Sequence, residues 1–344
     1  MANIDVYLQS CIDQKCSDLH IASESPVCVR QLGRLLPMSD GPLSAADCEA
    51  LIFEILDPTL LGRLKEEWEV DSTYSLPNGE RFRFNAYRQR KGWDAVFRHF
   101  TSNVRSIEEL GLPPILKKFA DANQGIILIT GPGRCGKSTT CAALVDYLNA
   151  TTEEHIITIE DPIEYIHKRK MSLVNQRGVG PHTATFTSAL RSALREDPDI
   201  IMVGEMRDHE TMSLALTAAE TGHLVIGTLH TGSATATISR VVSLFPAGEQ
   251  PQAITSLAEN LVGIVSQRLL LNAEGNGMVP AFEILVNIMA VSNVIREGEF
   301  FKIPSLITTG AMHGMQTMET ALKALVAAKK ITQAVADEIL AEES

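Results

Sequence analysis

A glycine-rich stretch, GPGRCGKS at 131–138, holds the residue types that bind phosphate. It matches the pattern GxxxxGK[ST] in full, follows an apolar run typical of a strand and precedes a helical pattern. Glycines let the backbone curl so that N–H groups converge on phosphate oxygens, and the following helix N-terminus adds positive potential. The lysine neutralises the β and γ phosphates of ATP, and the next hydroxyl coordinates Mg²⁺. The predicted residues of this nucleotide site are Gly131, Pro132, Gly133, Arg134, Cys135, Gly136, Lys137, Ser138 and Thr139.

A carboxylate close to the metal is the second requirement of ATP hydrolysis. The segment DPDIIMVGE at 197–205 runs through four apolar residues to a terminal glutamate, which resembles the strand that carries such an acid. Glu205 is therefore predicted to lie near Mg²⁺, together with Ser138.

A base or positioning group for the attacking water is the third requirement. The segment ITIEDPIEY at 157–165 carries Glu160, Asp161 and Glu164. The spacing of these acids does not select one of them, and a solvated acidic turn is the alternative interpretation.

Histidines and arginines extend the set of candidates. His223 and His230 bracket an apolar strand, where each is either a phosphate-sensing group or a structural side chain. Several arginines are concentrated before residue 100, and they form either a solvated strand face or arginine fingers that reach a phosphate. These arginines are Arg81, Arg83, Arg88, Arg90 and Arg98.

Residues 1–100 favour a small α+β domain with an antiparallel sheet. The apolar spacing over 51–64 predicts helix, and Pro58 divides it into two short helices because proline fits a first turn but not a helix interior. PNG at 77–79 predicts a turn between strands. The segment ERFRFNAYRQ that follows alternates polar and apolar residues, as a strand does. The sequence of residues 101–115 predicts a short helix and an interdomain linker.

After the linker, apolar strands alternate with helices. GIILIT (125–130), HIITIED (155–161), DIIMVGE (199–205) and HLVIGTLHT (223–231) are strand-like runs that end in polar residues. Such a pattern indicates an α/β domain whose mainly parallel sheet is covered on both faces. Ligand sites in these sheets lie at the carboxyl ends of the strands, where the polar residues occur.

Composition narrows the class of protein. The 344 residues carry a net charge of −12, which argues against nucleic-acid binding because such proteins usually present excess Lys and Arg. We found no apolar run of the ~20 residues that a membrane span needs and no export signal, so a cytoplasmic protein without direct membrane insertion is expected. The six cysteines form no CxxC pair and are expected to be reduced, mostly buried thiols.

The chain resembles the secretion ATPase family of type II secretion and type IV pili, and within it the PilT-like retraction branch. The resemblance follows the family order along nearly the whole chain. Its segments are SDLHI, RFRFNAYRQ, GPxxxxGKST, ITIEDPIEYIH, LVNQR, ALRSALREDPDIIMVGEMRD, LTAAETGHLVIGTLHT and GMQTME.

This resemblance implies a PAS-like domain over 1–101, a linker over 102–115 and a RecA-like P-loop ATPase domain with C-terminal helices over 116–344. It also implies a homo-hexamer that works at the inner membrane through a pilus platform protein, with other pilus motor ATPases as further partners. By the same resemblance Glu164 is the catalytic glutamate, Glu205 the Walker B acid and His230 part of a histidine box. Arg83 and Arg98 correspond to arginine fingers.

Three segments depart from the family pattern. The loop reads GPGRCGKS where the family usually has GPTGSGKS, and Cys135 at a helix N-terminus suggests a hypothesis of a low thiol pKa and sensitivity to oxidation or alkylation. LVNQRGVG lacks an acid that the family usually has after the arginine. AVSNVIRE at 290–297 differs from the AIRNLIRE of retraction motors.

Four alternatives to a retraction motor follow from these observations. They are an accessory PilU-like motor, a motor for secretion or DNA uptake, a ring scaffold that does not hydrolyse ATP, and a nucleic-acid translocase.

Overall fold

The computed structural model describes residues 2–31, 33–100 and 103–343. The chain divides into two compact units, Met1–Asn103 and Val104–Ser344. Residues 101 and 102, where the predicted linker begins, lie outside the described residues. From residue 104 onward the predicted linker packs with the second unit, where Ile107 and Leu112 are buried in the core.

The first unit is a small α+β fold, as predicted. Within its described residues the strand order is β3-β2-β1-β6-β5-β4, and all neighbours are antiparallel. Its elements are α1 (Asp5–Asp13), β1 (Asp18–Ile21), β2 (Cys28–Gln31), β3 (Arg34–Pro37), α2 (Ala45–Phe53), α3 (Pro58–Glu67), β4 (Glu69–Ser75), β5 (Arg81–Gln89) and β6 (Gly92–Phe100).

Local sequence explains the elements of this unit. Pro58 is the first residue of α3, and the Asp57 side chain accepts hydrogen bonds from the first backbone N–H groups of that helix, so the predicted division is confirmed. On β5, Phe82 and Phe84 are buried while the alternate residues are half-exposed, which confirms the predicted period of two.

Both tryptophans of the chain lie in this first unit and flank one arginine. The Arg88 guanidinium lies 5.7 Å from the ring centre of Trp68 and 5.6 Å from that of Trp93. These distances are typical of cation–π contacts, which attach the end of β5 to the rings on either side.

The second unit is an α/β fold with a mainly parallel sheet, as predicted. Within its described residues the strand order is β13-β12-β7-β11-β10-β8-β9, and β12–β13 is an antiparallel pair at one edge. Its elements are α4 (Ile115–Ala120), β7 (Gly125–Thr130), α5 (Lys137–Thr151), β8 (His155–Glu160), β9 (Leu173–Gly178), α6 (Phe186–Ala193), β10 (Ile200–Val203), α7 (His209–Glu220), β11 (Leu224–Leu229), α8 (Ala234–Ser243), α9 (Gln250–Asn260), β12 (Leu261–Leu271), β13 (Met278–Val286), α10 (Met289–Arg296), α11 (Ile303–Thr309), α12 (Met318–Ala327) and α13 (Gln333–Glu343), with 3₁₀ turns at Phe300–Lys302 and Ala311–His313.

Helices cover both faces of this sheet. Side chains of α4 and α5, such as Phe119 and Leu144, pack on one face. Side chains of α6 to α9, such as Leu190 and Ile238, pack on the other. The central strands β7, β11 and β10 are consequently buried along their whole length, which is why they consist mainly of apolar residues.

One predicted element differs from the structure. The short helix expected within 101–115 is a single hydrogen-bonded turn over 107–111. Gly111, with φ +63°, ends this turn because its left-handed backbone cannot continue a right-handed helix.

The structure also describes the features on which the expectations about membrane spans and cysteines depend. Across the described residues, the helices are too short or too polar to span a membrane. The cysteines all lie in the described part of the chain and are free thiols; Cys28 is half-buried and the rest are buried.

Candidate active site

The phosphate-binding loop joins the end of β7 to the start of α5. Because β7 lies between β12 and β11, the loop emerges at the carboxyl edge of the sheet, where α/β folds bind ligands. Gly131 passes so close to β12 that a Cβ would lie 2.3 Å from the carbonyl oxygen of Gln267. Gly136 has φ +92° and is followed by Lys137, the first residue of α5. The glycines therefore bring the loop directly to a helix N-terminus, whose unpaired N–H groups bind anions.

Arg134 is an unusual residue for its backbone conformation. Its φ is +65°, in the left-handed region that costs a residue with a Cβ about 1 kcal/mol. Glycine would adopt this conformation without strain. The arginine side chain is exposed.

Cys135 does not have the low pKa that the sequence suggested. Its side chain is 3% exposed and lies against Gly131. Burial raises the pKa of the Cys135 thiol, and the opposing attraction of Lys137 is smaller. The premise of a reactive thiolate is therefore wrong, because an enclosed and protonated thiol is a poor nucleophile.

Lys137 lies at the centre of the loop. Its Nζ donates hydrogen bonds to the carbonyl oxygens of Gly131 and Pro132 at 2.8 and 2.9 Å. It also lies 3.4 Å from Nδ1 of His230. Ser138, on the first turn of α5, is exposed. The ammonium group is thus held within the curve of the loop, where a phosphate would meet it.

His230 connects the loop to Glu205. It follows β11, while Glu205 follows the neighbouring parallel strand β10, so both lie at the same edge as the loop. His230 Nε2 lies 2.8 Å from Oε1 of Glu205. Since Lys137 can only donate, Nδ1 of the histidine is the acceptor in this contact. The same Glu205 oxygen also forms an ion pair with Arg207. Lys137, His230 and Glu205 therefore form a continuous polar chain.

The other predicted histidine has a structural role. His223 precedes β11, at the opposite edge of the sheet. Its Nδ1 lies 3.0 Å from the carbonyl oxygen of Ala218 and 3.3 Å from Oγ1 of Thr221. It therefore fastens the end of α7 and lies apart from the candidate site.

Burial distinguishes Glu160 from Asp161 and Glu164, which the spacing of these acids could not do. Glu160, 9% exposed, accepts hydrogen bonds from Thr158 Oγ1 at 2.7 Å and Gln176 Nε2 at 3.0 Å. Burial raises the pKa of the Glu160 carboxyl. Asp161 is exposed and Glu164 is half-buried. Glu160 is therefore engaged in the fold, and a water-activating role suits the more accessible acids.

The segment that carries Glu164 is attached to the nucleotide loop. The hydroxyl of the next residue, Tyr165, lies 2.9 Å from Oγ1 of Thr139 on α5. The carbonyl oxygen of Tyr165 accepts a hydrogen bond from Gln176 at 2.8 Å. The first contact ties the acidic segment to a predicted phosphate-binding residue, and the second ties it to β9.

The same segment contains a histidine with a strongly lowered pKa. His167 is half-buried with an enclosed Nδ1, and burial lowers its pKa to about 4, against the attraction of Asp146. The unfolded chain binds this proton near pH 6.5, so stability falls as the pH drops from 6.5 to 4. A shift of this size corresponds to up to about 3 kcal/mol. We expect His167→Gln to remove this loss, measured as the free energy of unfolding in urea at several pH values.

An exposed histidine provides the control for that experiment. His313→Gln should give a curve of stability against pH that runs parallel to the parent. Parallel curves for His167→Gln as well would contradict the assignment.

Sequence reasoning missed the polar residues beneath the loop. Gln267 of β12, 3% exposed, donates from Nε2 to the carbonyl oxygen of Cys135 at 2.6 Å. The neighbouring Ser266 hydroxyl lies 2.8 Å from that of Thr130, the last residue of β7. The available signal was the polar run Ser-Gln-Arg inside an otherwise apolar strand, VGIVSQRLLL.

The two predicted arginine fingers lie in the first unit. Arg83 of β5 and Arg98 of β6 are register partners on adjacent strands. Arg83 pairs with Asp71, and Arg98 donates two hydrogen bonds to Asp18 at 2.7 and 2.9 Å. Burial alone would raise the pKa of Asp18, but hydrogen bonds from Ser17 and Arg98 hold it below its usual range. Each arginine is thus held by a carboxylate of its own unit.

The predicted Mg²⁺ residues suit that ion. The Ser138 hydroxyl and the Glu205 carboxylate are oxygen donors, which Mg²⁺ prefers. Among the described residues, no three or more His, Cys, Asp or Glu side chains cluster into a complete metal site. Mg²⁺ in nucleotide sites characteristically takes one or two protein ligands and completes its shell with phosphate oxygens and water, so this donor set fits.

Comparisons with known proteins identify the family of this chain. The family described as Type II/IV secretion system protein matches residues 74–329. The type IV pilus retraction ATPase PilT of Pseudomonas aeruginosa is 48% identical over 314 residues, covering 91% of each chain. A twitching motility protein of Neisseria gonorrhoeae is 46% identical, covering 92% of this chain and 84% of that protein.

The similarity extends to a solved structure. The pilus retraction motor PilT with bound ADP matches with a TM-score of 0.91 at 41% identity, covering 98% of this chain and 96% of that one. Identity at this level over almost the full length places proteins in one family, and the chain accordingly belongs to the Type II/IV secretion system proteins, a family of ATPases.

Proposed function

We propose that this protein is a motor that hydrolyses ATP to power type IV pilus retraction. The observation that carries the proposal is the polar chain from Lys137 through His230 to Glu205, at the edge of the sheet where the phosphate-binding loop emerges. The similarity to PilT supports pilus retraction as the task of the motor. Relatives that match over more than nine-tenths of this chain bear names of pilus retraction and twitching motility.

The residues divide the chemistry among them. The loop N–H groups and Lys137 bind the β and γ phosphates, and Ser138 and Glu205 hold Mg²⁺. When bound, the metal ion neutralises the charge that develops on the phosphates. Glu164 accepts the proton of the attacking water. His230 keeps Glu205 and Lys137 in fixed positions through its two ring nitrogens.

The assembly follows from the same proposal. Six copies form a ring in the cytoplasm, attached to the inner membrane through a pilus platform protein, and other pilus motors are further partners. Each copy comprises a PAS-like domain over 1–101, a linker over 102–115 and an ATPase domain over 116–344. Arg83 and Arg98 of the PAS-like domain act as arginine fingers that stabilise charge in the transition state.

An accessory motor is the second candidate function, and α10 favours it. This helix carries the AVSNVIRE sequence, which differs from the segment typical of retraction motors. An accessory motor would share the ATPase site but would need a second motor to move the pilus.

Complementation separates the two functions. We expect the chain to restore twitching to a type IV-piliated host that lacks its own retraction ATPase, and we expect Lys137→Ala to abolish the rescue. Twitching zones and surface pili are the measurements. An accessory role would be assigned if the chain failed in this host but restored twitching to a host that lacks only its accessory motor and keeps its retraction ATPase. A host that stays immotile, although the purified protein hydrolyses ATP, would refute the retraction motor.

A further inference from the structure

Gln267 lies directly beneath the phosphate-binding loop. It belongs to β12, which runs parallel to β7 with Ser266 opposite Thr130, so Gln267 is level with Gly131. Its main-chain oxygen is the atom that a Cβ at Gly131 would meet at 2.3 Å. Its side-chain Nε2 would lie 2.8 Å from a Cβ at Gly136. The glutamine therefore fills the space between the two glycines that shape the loop.

Both ends of the Gln267 amide are bonded. Nε2 donates to the carbonyl oxygen of Cys135 at 2.6 Å, and Oε1 accepts from Oγ1 of Thr140 at 2.8 Å. Thr140 is 1% exposed and lies in the first turn of α5. One side chain thus fixes the last part of the loop and the start of the helix relative to each other.

The physical consequence concerns the nucleotide. Phosphate binding at a loop and helix N-terminus requires several N–H groups to converge, and a loop already held in that shape loses less conformational entropy on binding. Because the amide is buried, its removal would leave the Cys135 carbonyl and the Thr140 hydroxyl without these bonds in a site closed to water.

We propose that Gln267 is a positioning residue for nucleotide binding, whose amide holds the phosphate-binding loop in its binding shape. The role rests on the proposed function, because it requires that the loop bind nucleotide. The side chain acts on the loop from the protein interior and has no part in the chemical step. Its loss should therefore weaken binding and raise KM while leaving kcat nearly unchanged.

The test compares Gln267→Met, which keeps the shape but not the hydrogen bonds, with the parent. Titration with a fluorescent methylanthraniloyl-ADP in the presence of Mg²⁺ should show a Kd about tenfold higher, which corresponds to about 1.4 kcal/mol. Steady-state ATP hydrolysis should show a similar rise in KM, with kcat within about twofold of the parent. An unchanged Kd, or a loss confined to kcat, would overturn the proposal.

Gln316→Leu is the matched control. Gln316 is half-buried and donates from Nε2 to the carbonyl oxygen of Phe282 at 2.9 Å, so it offers a similar bond elsewhere in the second unit. Its variant should lose thermal stability without a change in Kd. If Gln316→Leu raised the Kd as much as Gln267→Met, the effect would be general destabilisation and the inference would fail.

Two further outcomes are a Gln267 variant that does not fold and a parent protein that does not bind ADP. If Gln267→Met does not fold, Thr140→Val provides the test instead, because it removes one of the two hydrogen bonds of the Gln267 amide. For that variant, a roughly threefold higher Kd supports the proposal and an unchanged Kd overturns it. A parent that binds no ADP would refute the proposed function itself. A parent that binds, beside variants that bind equally well, would refute the role of Gln267 alone.

Discussion

Replacing Glu164 with Gln is expected to lower kcat for ATP hydrolysis at least about 100-fold, while the Kd for ADP stays close to that of the parent. An amide cannot accept the proton of the attacking water, and a general base contributes roughly 10²–10⁴ in rate. Binding persists because the phosphates are held by the loop and Lys137. Phosphate release with saturating ATP and Mg²⁺, beside titration with fluorescent ADP, measures the two effects separately.

Glu160→Gln is the matched control in the same segment. The Glu160 carboxyl is already bonded to Thr158 and Gln176, so its replacement should affect stability more than turnover. The opposite pattern, an active Glu164→Gln and an inactive Glu160→Gln, would transfer the base to the buried acid. Loss of turnover in Asp161→Asn alone would assign the role to Asp161.

Lys137→Ala is expected to raise the Kd for nucleotide by roughly 10²–10³-fold. Removing one partner of a desolvated charge pair costs about 2–5 kcal/mol. The ammonium also donates to two loop carbonyls, so its loss loosens the loop as well. Titration with fluorescent ADP measures the effect, and the midpoint of thermal unfolding shows whether the variant is folded.

Lys170→Ala provides the comparison for a lysine outside the site. Lys170 forms an exposed ion pair with Asp146 at 2.8 Å, and its loss should leave the Kd within about twofold. A Kd for Lys137→Ala within a few-fold of the parent would mean that phosphates do not bind where the loop predicts.

Local patterns predicted the fold class of both units and several of their strands, because the interactions involved are close in sequence. The apolar runs became strands with ends within two residues of those expected, and Pro58 began a helix because its fixed φ fits a first turn. The short helix within 101–115 failed for an equally local reason: Gly111 takes a left-handed conformation that the sequence permits but does not require.

The site was predictable only in part, because some of its properties depend on distant contacts. The loop is a contiguous motif, so its position follows from sequence. Gln267, in contrast, reaches Cys135 only through the pairing of β12 with β7. Burial reversed the expected pKa direction of Cys135, and it also separated Glu160 from Glu164. Neither effect can be deduced from residue spacing.

The tryptophans that flank Arg88 give the first unit an optical signal of its own. Since Trp68 and Trp93 are the chain's two tryptophans, emission excited at long ultraviolet wavelengths originates entirely in residues before 104. Nucleotide that binds to the loop of the second unit will change this emission only if the first unit responds. The tryptophan fluorescence of unlabelled protein can therefore show whether nucleotide binding to the second unit changes the first unit.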